Sequence, residues 1–129
     1  MGAMALLTFG VLSLIPIRRF RAAFAGRVTA ADFRFGESVA VPGDVAIPNR
    51  NYMNLLELPT LFFPPCLMFY VSHRVDAVVL IVAWLFVLFR LVHSIVHLTY
   101  NNVFHRLTLF AASNVALGAL WVLFFLPGR

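Results

Sequence analysis

Four polar side chains interrupt an apolar stretch of the chain that runs from Ala77 to Arg106. Thirteen consecutive apolar residues open the stretch, and the remainder still has membrane-spanning character apart from Arg90, His93, His97 and Tyr100. At about 100° per residue on an α-helix, these four fall within an arc of roughly 80°. Ionisable groups at bilayer depth are costly and usually face a bundle interior or a wet cavity, so this face predicts a binding site.

A second polar row opens the apolar stretch that precedes it. Spacings of four and three residues place Arg50, Asn54 and Glu57 on one stripe of a helix. A carboxylate inside a transmembrane helix needs a cation or several donors, because an unpaired buried charge is expensive. We expect Arg90 and Arg106 to be the available partners. The alternative interpretation is a structural ion-pair cluster that holds helices in register.

Composition places both rows in a membrane protein of one domain. The 129 residues are 62% hydrophobic and 12% charged, outside the range of soluble globular proteins. The formal net charge is +5 and every basic residue is arginine. A chain this apolar offers no extended basic surface for a duplex, which excludes nucleic acid as a partner. The single cysteine, Cys66, excludes a disulfide framework and a Cys-x-x-Cys metal motif.

Four apolar spans predict an all-α membrane protein, a four-transmembrane-helix antiparallel bundle. The connections after the second and third spans are short, so successive spans run in opposite directions. Three prolines, at 59, 64 and 65, predict a bent second span. The segment after the first span holds glycines, prolines and most of the acids, which predicts a loop that serves as a lid or a subunit contact. The single predicted domain covers residues 1–129, with spans at about 1–24, 51–72, 76–100 and 106–126 and the loop at 27–49.

Arginines are distributed unevenly between the two ends of this predicted bundle. Eight of the ten lie at the end shared by the loop and the start of the fourth span, and only Arg74 and Arg129 lie opposite. By the positive-inside rule the arginine-rich end is cytoplasmic. We therefore predict a multi-pass protein with both termini outside and the loop at 27–49 in the cytoplasm.

Three separated segments together resemble the MAPEG family, the membrane-associated proteins in eicosanoid and glutathione metabolism. The second span begins with Arg-x-x-x-Asn-x-x-Glu and a proline close behind, the third carries a row similar to Arg-x-x-His/Tyr-x-x-x-Tyr, and the fourth begins with an arginine. The four-span layout is similar over essentially the whole chain. The resemblance implies a homotrimer of four-helix protomers with glutathione bound between neighbouring subunits near the cytoplasmic side.

The resemblance also implies a role for each residue of the pattern. Arg106 matches the arginine taken in the family to stabilise the glutathione thiolate and is the implied catalytic residue. Glutathione carries two carboxylates, one ammonium and a thiol, so several arginines and one glutamate complement its charges. A guanidinium near sulfur also raises the fraction of nucleophilic thiolate. Residues that the resemblance assigns to glutathione binding are Arg18, Arg50, Asn54, Glu57, Arg90, His93, His97 and Tyr100.

Four features depart from the family pattern and indicate a divergent bacterial-type member, expected in an inner membrane. Pro59 comes two residues after Glu57 where three or more is usual, and the loop after the first span is rich in glycine and proline. The other two departures are single residues. His97 stands where the family usually has tyrosine, with Tyr100 one turn further on as a possible substitute. Phe110 stands where some members have a tyrosine one turn after the helix 4 arginine.

Three functional hypotheses remain open. The first is a glutathione-dependent transferase or peroxidase that acts on lipophilic electrophiles or hydroperoxides, with membrane lipid, glutathione and further copies of the chain as partners. The second is a non-catalytic MAPEG-like protein that binds a lipid, an anionic metabolite or a protein. The third is a metal or haem site at His93 and His97, which the i, i+4 spacing permits. The neighbouring arginine repels a cation, so we predict no metal.

Overall fold

Long apolar helices form the body of the protein. The computed structural model describes residues 1–126, and within that range it contains five α-helices, two short 3₁₀ turns and no strand. Residues 127–129, which were expected to end the fourth span and to include an arginine at the opposite end, lie outside the described residues. The helices are α1 (Gly2–Phe24), α2 (Gly43–Glu57), α3 (Phe63–Val71), α4 (Ala77–Leu98) and α5 (Val103–Phe125), with 3₁₀ turns at Ala30–Phe33 and Leu58–Leu61.

Four helical segments in the described part of the chain are long and apolar enough to cross a membrane. They are α1, the continuous segment Gly43–Val71 that contains α2 and α3, then α4 and α5. The predicted all-α fold with four membrane-spanning helices is therefore confirmed. The hydrogen bonds show the helix directions: Arg74, just before α4, donates to the main-chain carbonyl oxygens of Phe124 and Leu126 at the far end of α5. Thus α4 and α5, which pack on each other most extensively, are antiparallel.

The second segment begins at Gly43, several residues before the start at 51 that the sequence predicted. Asp44 lies in its first turn, where a negative charge is favoured by the helix dipole, and pairs with Arg27 at 2.7 Å. Val45 and Ala46 are buried in a small cluster against Val28 and other loop and α1 residues. These tertiary contacts make helical a stretch whose sequence shows no clear period.

The second segment is interrupted at its prolines. The 3₁₀ turn between α2 and α3 contains Pro59, and Pro64 and Pro65 follow in the first turn of α3. Pro65 has no N–H to donate to the carbonyl oxygen of Leu61, four residues earlier. The indole Nε1 of Trp121 in α5 donates to that oxygen at 3.1 Å, so a neighbouring helix satisfies the freed acceptor.

The apolar core lies along the middle of the bundle. Phe62 and Phe86 stack with their ring centroids 4.5 Å apart, which joins the bend of the second segment to α4. Buried residues from all four segments surround this pair, among them Met4, Val11, Leu55, Phe69, Val79, Ala116, Leu117 and Leu120. The opposite helix faces carry large exposed apolar side chains, as expected for contact with lipid.

Candidate ligand-binding site

A buried polar layer lies where α4 packs against the second half of α2. Arg90 is fully buried, and its Nη2 donates a hydrogen bond to the main-chain carbonyl oxygen of Asn54. One turn further along α4, the hydroxyl of Ser94 donates to Oδ1 of Asn51 at 3.3 Å. Ser94 and Asn51 are functional candidates that the sequence analysis did not select. Their spacing, four residues from Arg90 and three from Asn54, is the signal that would have found them.

A cavity of about 200 Å³ opens beside this layer. Asn54, His93 and Arg106 line it, three residues predicted for the site from three different membrane-spanning segments. Arg90 does not line the cavity but lies just behind its wall, with the guanidinium carbon 5.6 Å from the ring centroid of Phe110. The remaining lining residues are apolar: Val103, Leu107 and Phe110.

The two histidines of α4 lie one turn apart on its buried face. Their ring centroids are 5.7 Å apart, and each Nδ1 is buried without a hydrogen-bond partner in residues 1–126. His93 reaches the cavity, whereas His97 is not among its lining residues. Among the described residues there is no group of three His, Cys, Asp or Glu side chains that could hold a metal ion. Buried polar atoms without partners usually mark a position for water or a ligand.

Arg106 projects from the first turn of α5, and the turn before that helix orients it. Its Nη1 donates to Oδ1 of Asn101 at 2.8 Å, while its Nε is buried without a partner among the described residues. Asn101 has φ of 50°, the left-handed conformation that asparagine adopts more readily than most residues. The next residue, Asn102, caps α5 by accepting the N–H of His105 at 3.1 Å. The sequence analysis selected neither asparagine for the site.

The other predicted site residues lie on the outside of the single protomer. Tyr100 is exposed, and its hydroxyl is 2.9 Å from Nδ1 of His105 rather than in the cavity. Arg18, Arg50 and Glu57 are also exposed.

The expected ion pair between Glu57 and Arg90 or Arg106 does not form within residues 1–126. The ion pairs found there join other residues, in the loop and at the helix ends next to it. The physical reason is that Glu57 is exposed on the outer side of α2, whereas Arg90 is fully buried and donates to the main-chain carbonyl oxygen of Asn54. Arg106 donates to the side chain of Asn101 instead. Glu57 remains close enough to Arg90 for an attractive electrostatic interaction.

The region around the cavity carries an excess of positive charge. Of the five acids in the chain, only Glu57 interacts with an arginine next to the cavity. Asp32 and Glu37 lie in the loop, Asp44 lies in the first turn of α2, and Asp76 lies at the opposite end of α4. Arg90, Arg106 and the nearby Arg50 carry the positive charge, and Arg50 and Arg106 repel each other. This arrangement of cations around a small cavity suits an anionic ligand.

Comparison with known proteins identifies the family of this chain. The model of the MAPEG family matches residues 1–126, which include every helix and every residue of the cavity wall. No curated protein matches the chain, and no solved structure matches it.

Proposed function

Because the chain belongs to the MAPEG family and is an integral multi-pass membrane protein, we propose that it is a glutathione-dependent transferase or peroxidase. Its second substrates are lipophilic electrophiles or hydroperoxides. The observation that carries this proposal is the convergence of Asn54, His93 and Arg106 on one cavity that has unneutralised guanidinium groups around it.

Glutathione fits the donors that the site leaves unused. Nε of Arg106, which lines the cavity, is buried without a partner in the described part of the chain. Arg90 lies behind the wall and adds positive charge there without contacting the ligand. The two carboxylates and the thiolate of glutathione are acceptors for such groups. When bound, glutathione supplies the sulfur nucleophile. Arg106, held in place by Asn101, stabilises the ionised form of the glutathione thiol. The apolar wall at Leu107 and Phe110 excludes water, which strengthens the attraction between the guanidinium group and the thiolate.

The remaining predicted residues complete the site across a subunit boundary in a homotrimer. Arg18, Arg50, Glu57 and Tyr100 are exposed on the protomer, as contact groups for a ligand shared with a neighbouring subunit would be. In this arrangement Glu57 accepts the γ-glutamyl ammonium. Arg90 and His97 lie behind the cavity wall, where they position Asn54 and His93.

The lipophilic substrate reaches the cavity from the bilayer. Val103 and Leu107 line the cavity and are also exposed on the apolar outer face of α5, so the wall of the site is a lipid-facing surface. Glutathione approaches from the arginine-rich end of the bundle. By the positive-inside rule that end is cytoplasmic, with both termini outside in a bacterial inner membrane.

One observation favours the second candidate, a non-catalytic MAPEG-like protein that binds a lipid, an anionic metabolite or a protein. Phe110 contributes an aromatic ring to the cavity wall, 6.2 Å from the ring of His93, but no hydroxyl group. Tyr100, in the turn after α4, has its hydroxyl beside His105 instead. A protein of this kind keeps the binding site without the proton donor that some family members carry.

Thermal unfolding of the purified protein with and without glutathione tests the proposal. A ligand at about one hundred times its Kd stabilises the native state by about 2.7 kcal/mol, so we expect a clear rise in Tm. A thiol-free analogue of glutathione serves as the control for binding, and turnover of chlorodinitrobenzene measures transfer. Stabilisation without turnover of any electrophile or hydroperoxide supports the second candidate, and the absence of both effects rejects the proposal.

A further inference from the structure

The loop between α1 and α2 folds back along α1 instead of extending away from the membrane. The guanidinium carbon of Arg19 lies 4.4 Å from the ring centroid of Phe33, and its Nη2 lies 3.0 Å from Oε1 of Glu37. Arg19 precedes the end of α1 by five residues, or about 7–8 Å along the helix axis. The loop therefore lies at the depth of the last turns of a membrane-spanning helix.

A cleft of about 540 Å³ separates this loop from α1. The cleft is bounded on one side by α1 and on the other by the first part of the loop, and most of its lining is apolar. Its lining residues are Ile15, Pro16, Arg19, Phe20, Ala23, Val28, Thr29, Ala30 and Phe33. Because α1 crosses the bilayer, lipid has direct access to this cleft.

The acidic groups of the loop are satisfied within the loop and the adjoining helix ends. Glu37 pairs with Arg19, and Asp44 pairs with Arg27 through two hydrogen bonds of 2.7 and 3.1 Å. The carboxylate of Asp32 accepts hydrogen bonds from Thr29 and Ser38.

One arginine at this surface has no such partner. Arg34 is exposed and has no ion pair within residues 1–126. It directly follows Phe33, which lines the cleft. The guanidinium carbon of Arg34 lies 5.2 Å from the ring centroid of its neighbour Phe35. The surface around the cleft therefore has unpaired positive charge next to apolar side chains, a combination that attracts anionic lipid.

Two large apolar side chains of the loop are exposed although they lie outside the membrane-spanning helices. Phe35 is 93% exposed and Val39 is fully exposed. Phe20 of α1, at the edge of the cleft, is 63% exposed. Exposed aromatic and aliphatic groups interleaved with arginines are typical of segments that lie in the bilayer interface.

From these observations we propose that the cleft between α1 and the loop binds an anionic phospholipid. An acyl chain occupies the apolar cleft, Arg34 holds the head-group phosphate, and Phe35 and Val39 enter the bilayer interface. The loop is then a lipid-binding element on the bilayer surface. This proposal does not depend on glutathione binding.

Titration of the full chain in detergent with phosphatidylglycerol and phosphatidylcholine of equal acyl chains tests the site. We expect the phosphatidylglycerol to bind more tightly and Arg34→Gln to lower the affinity for it by about fivefold. Arg21→Gln removes an arginine on the side of α1 away from the cleft and is the matched control, which should leave the affinity unchanged. Ala30→Trp fills the cleft and should weaken the binding of both lipids without changing the ratio of their affinities. We expect Phe35→Ser to weaken the binding of both lipids, whereas its control Phe104→Ser, which removes an exposed phenylalanine from the start of α5, should not. Equal affinity for the two lipids overturns the proposal.

A spin label locates the loop independently of lipid affinity. Phe35→Cys in a Cys66→Ala background gives one labelling position, and the protein is reconstituted in vesicles that contain phosphatidylglycerol. We expect collisions with oxygen, which concentrates in lipid, to exceed collisions with a water-soluble nickel chelate. A label reached mainly by the chelate places the loop in water, and a label shielded from both reagents places it against a second copy of the chain; either result overturns the proposal.

Discussion

Arg90 donates to the main-chain carbonyl oxygen of Asn54, and this contact places a cation at the carboxyl end of α2. The last four carbonyls of an α-helix have no partner within the helix, and α2 ends at Glu57, so the carbonyl of Asn54 is one of them. The carbonyl of Glu57 is another, and the hydroxyl of Thr60 donates to it. A positive charge at this end of a helix is also favoured by the helix dipole. Arg90 is therefore a helix cap from a neighbouring helix, and it lies behind the wall of the cavity.

Replacement of Arg90 should separate its capping role from its charge. Arg90→Met retains much of the buried volume but leaves the carbonyl of Asn54 without a donor, and we expect a loss of about 1.5–3 kcal/mol of stability. Arg90→Lys keeps a charged donor and should lose less. Unfolding in a denaturing detergent series measures both. An Arg90→Met protein as stable as the native chain would show that the hydrogen bond does not support α2.

Arg106 and Asn101 should differ in how strongly their loss affects turnover. Arg106→Ala removes the guanidinium from the cavity, and we expect kcat/KM for glutathione transfer to fall by about 10²–10³, the usual effect of losing one electrostatic stabiliser. Asn101→Gly preserves the left-handed backbone and the guanidinium but removes its orienting acceptor, so a fall of about tenfold is expected.

Steady-state kinetics over a range of glutathione concentrations distinguishes these variants. Arg106→Lys serves as the control that keeps charge without the planar fork. Native turnover in Arg106→Ala would remove this arginine from the catalytic role.

The four spans were predictable because membrane thickness requires long apolar runs, and such runs are visible in composition alone. The polar face of α4 was equally visible, because the period of a helix is known in advance. The start of α2 could not be predicted from the sequence. Its first residues have no clear pattern and are helical because Asp44 pairs with Arg27 and Val45 packs in the small loop cluster.

The partners of the buried arginines were unpredictable for a different reason. Sequence patterns pair side chains by charge, which suggested Glu57 for Arg90. The structure instead uses a main-chain oxygen that becomes available only because α2 ends where it does. Likewise, the role of Asn101 depends on its positive φ, a property of the turn rather than of the residue type.

A site shared between subunits should recover activity when two inactive variants are mixed. In the proposed homotrimer, Glu57 and Arg106 of one site come from different protomers. We expect Glu57→Gln and Arg106→Ala proteins to be inactive alone, and their coexpressed mixture to regain native sites at roughly a quarter of the interfaces through random pairing. Turnover per protomer of the purified mixed oligomer measures this. Activity no greater than that of the single variants would place both residues in one protomer's site or outside it.

The loop before α2 should lose local structure in acid. Three hydrogen bonds hold the pKa of the Asp32 carboxyl below its ordinary value of 3.8. The main-chain N–H of Thr29 donates the bond with the largest effect, and the hydroxyls of Thr29 and Ser38 donate the other two. Since the folded loop binds the proton less readily than the unfolded loop, this contribution is complete above pH 3.8 and is lost as the pH falls through the lower folded value.

Hydrogen exchange of the Thr29 amide, expressed as a protection factor, measures this change. We expect protection to decrease on acidification in the native chain, and Asp32→Asn to weaken it at every pH with little dependence on acid. Protection that remains constant through the acid range would mean that other contacts hold the turn.

Trp121 and Pro65 should be energetically coupled through the carbonyl oxygen of Leu61. Trp121→Phe keeps a ring but removes the Nε1 donor, and we expect a loss of about 1 kcal/mol because the oxygen is left without its only side-chain donor among the described residues. Pro65→Ala restores a main-chain N–H that a helix directs at that same oxygen. In the Pro65→Ala background, Trp121→Phe should therefore cost less than in the native chain. A double-mutant cycle of unfolding free energies measures the difference. Additive effects would mean that the indole contributes packing alone and that the bend of the second segment does not require its hydrogen bond.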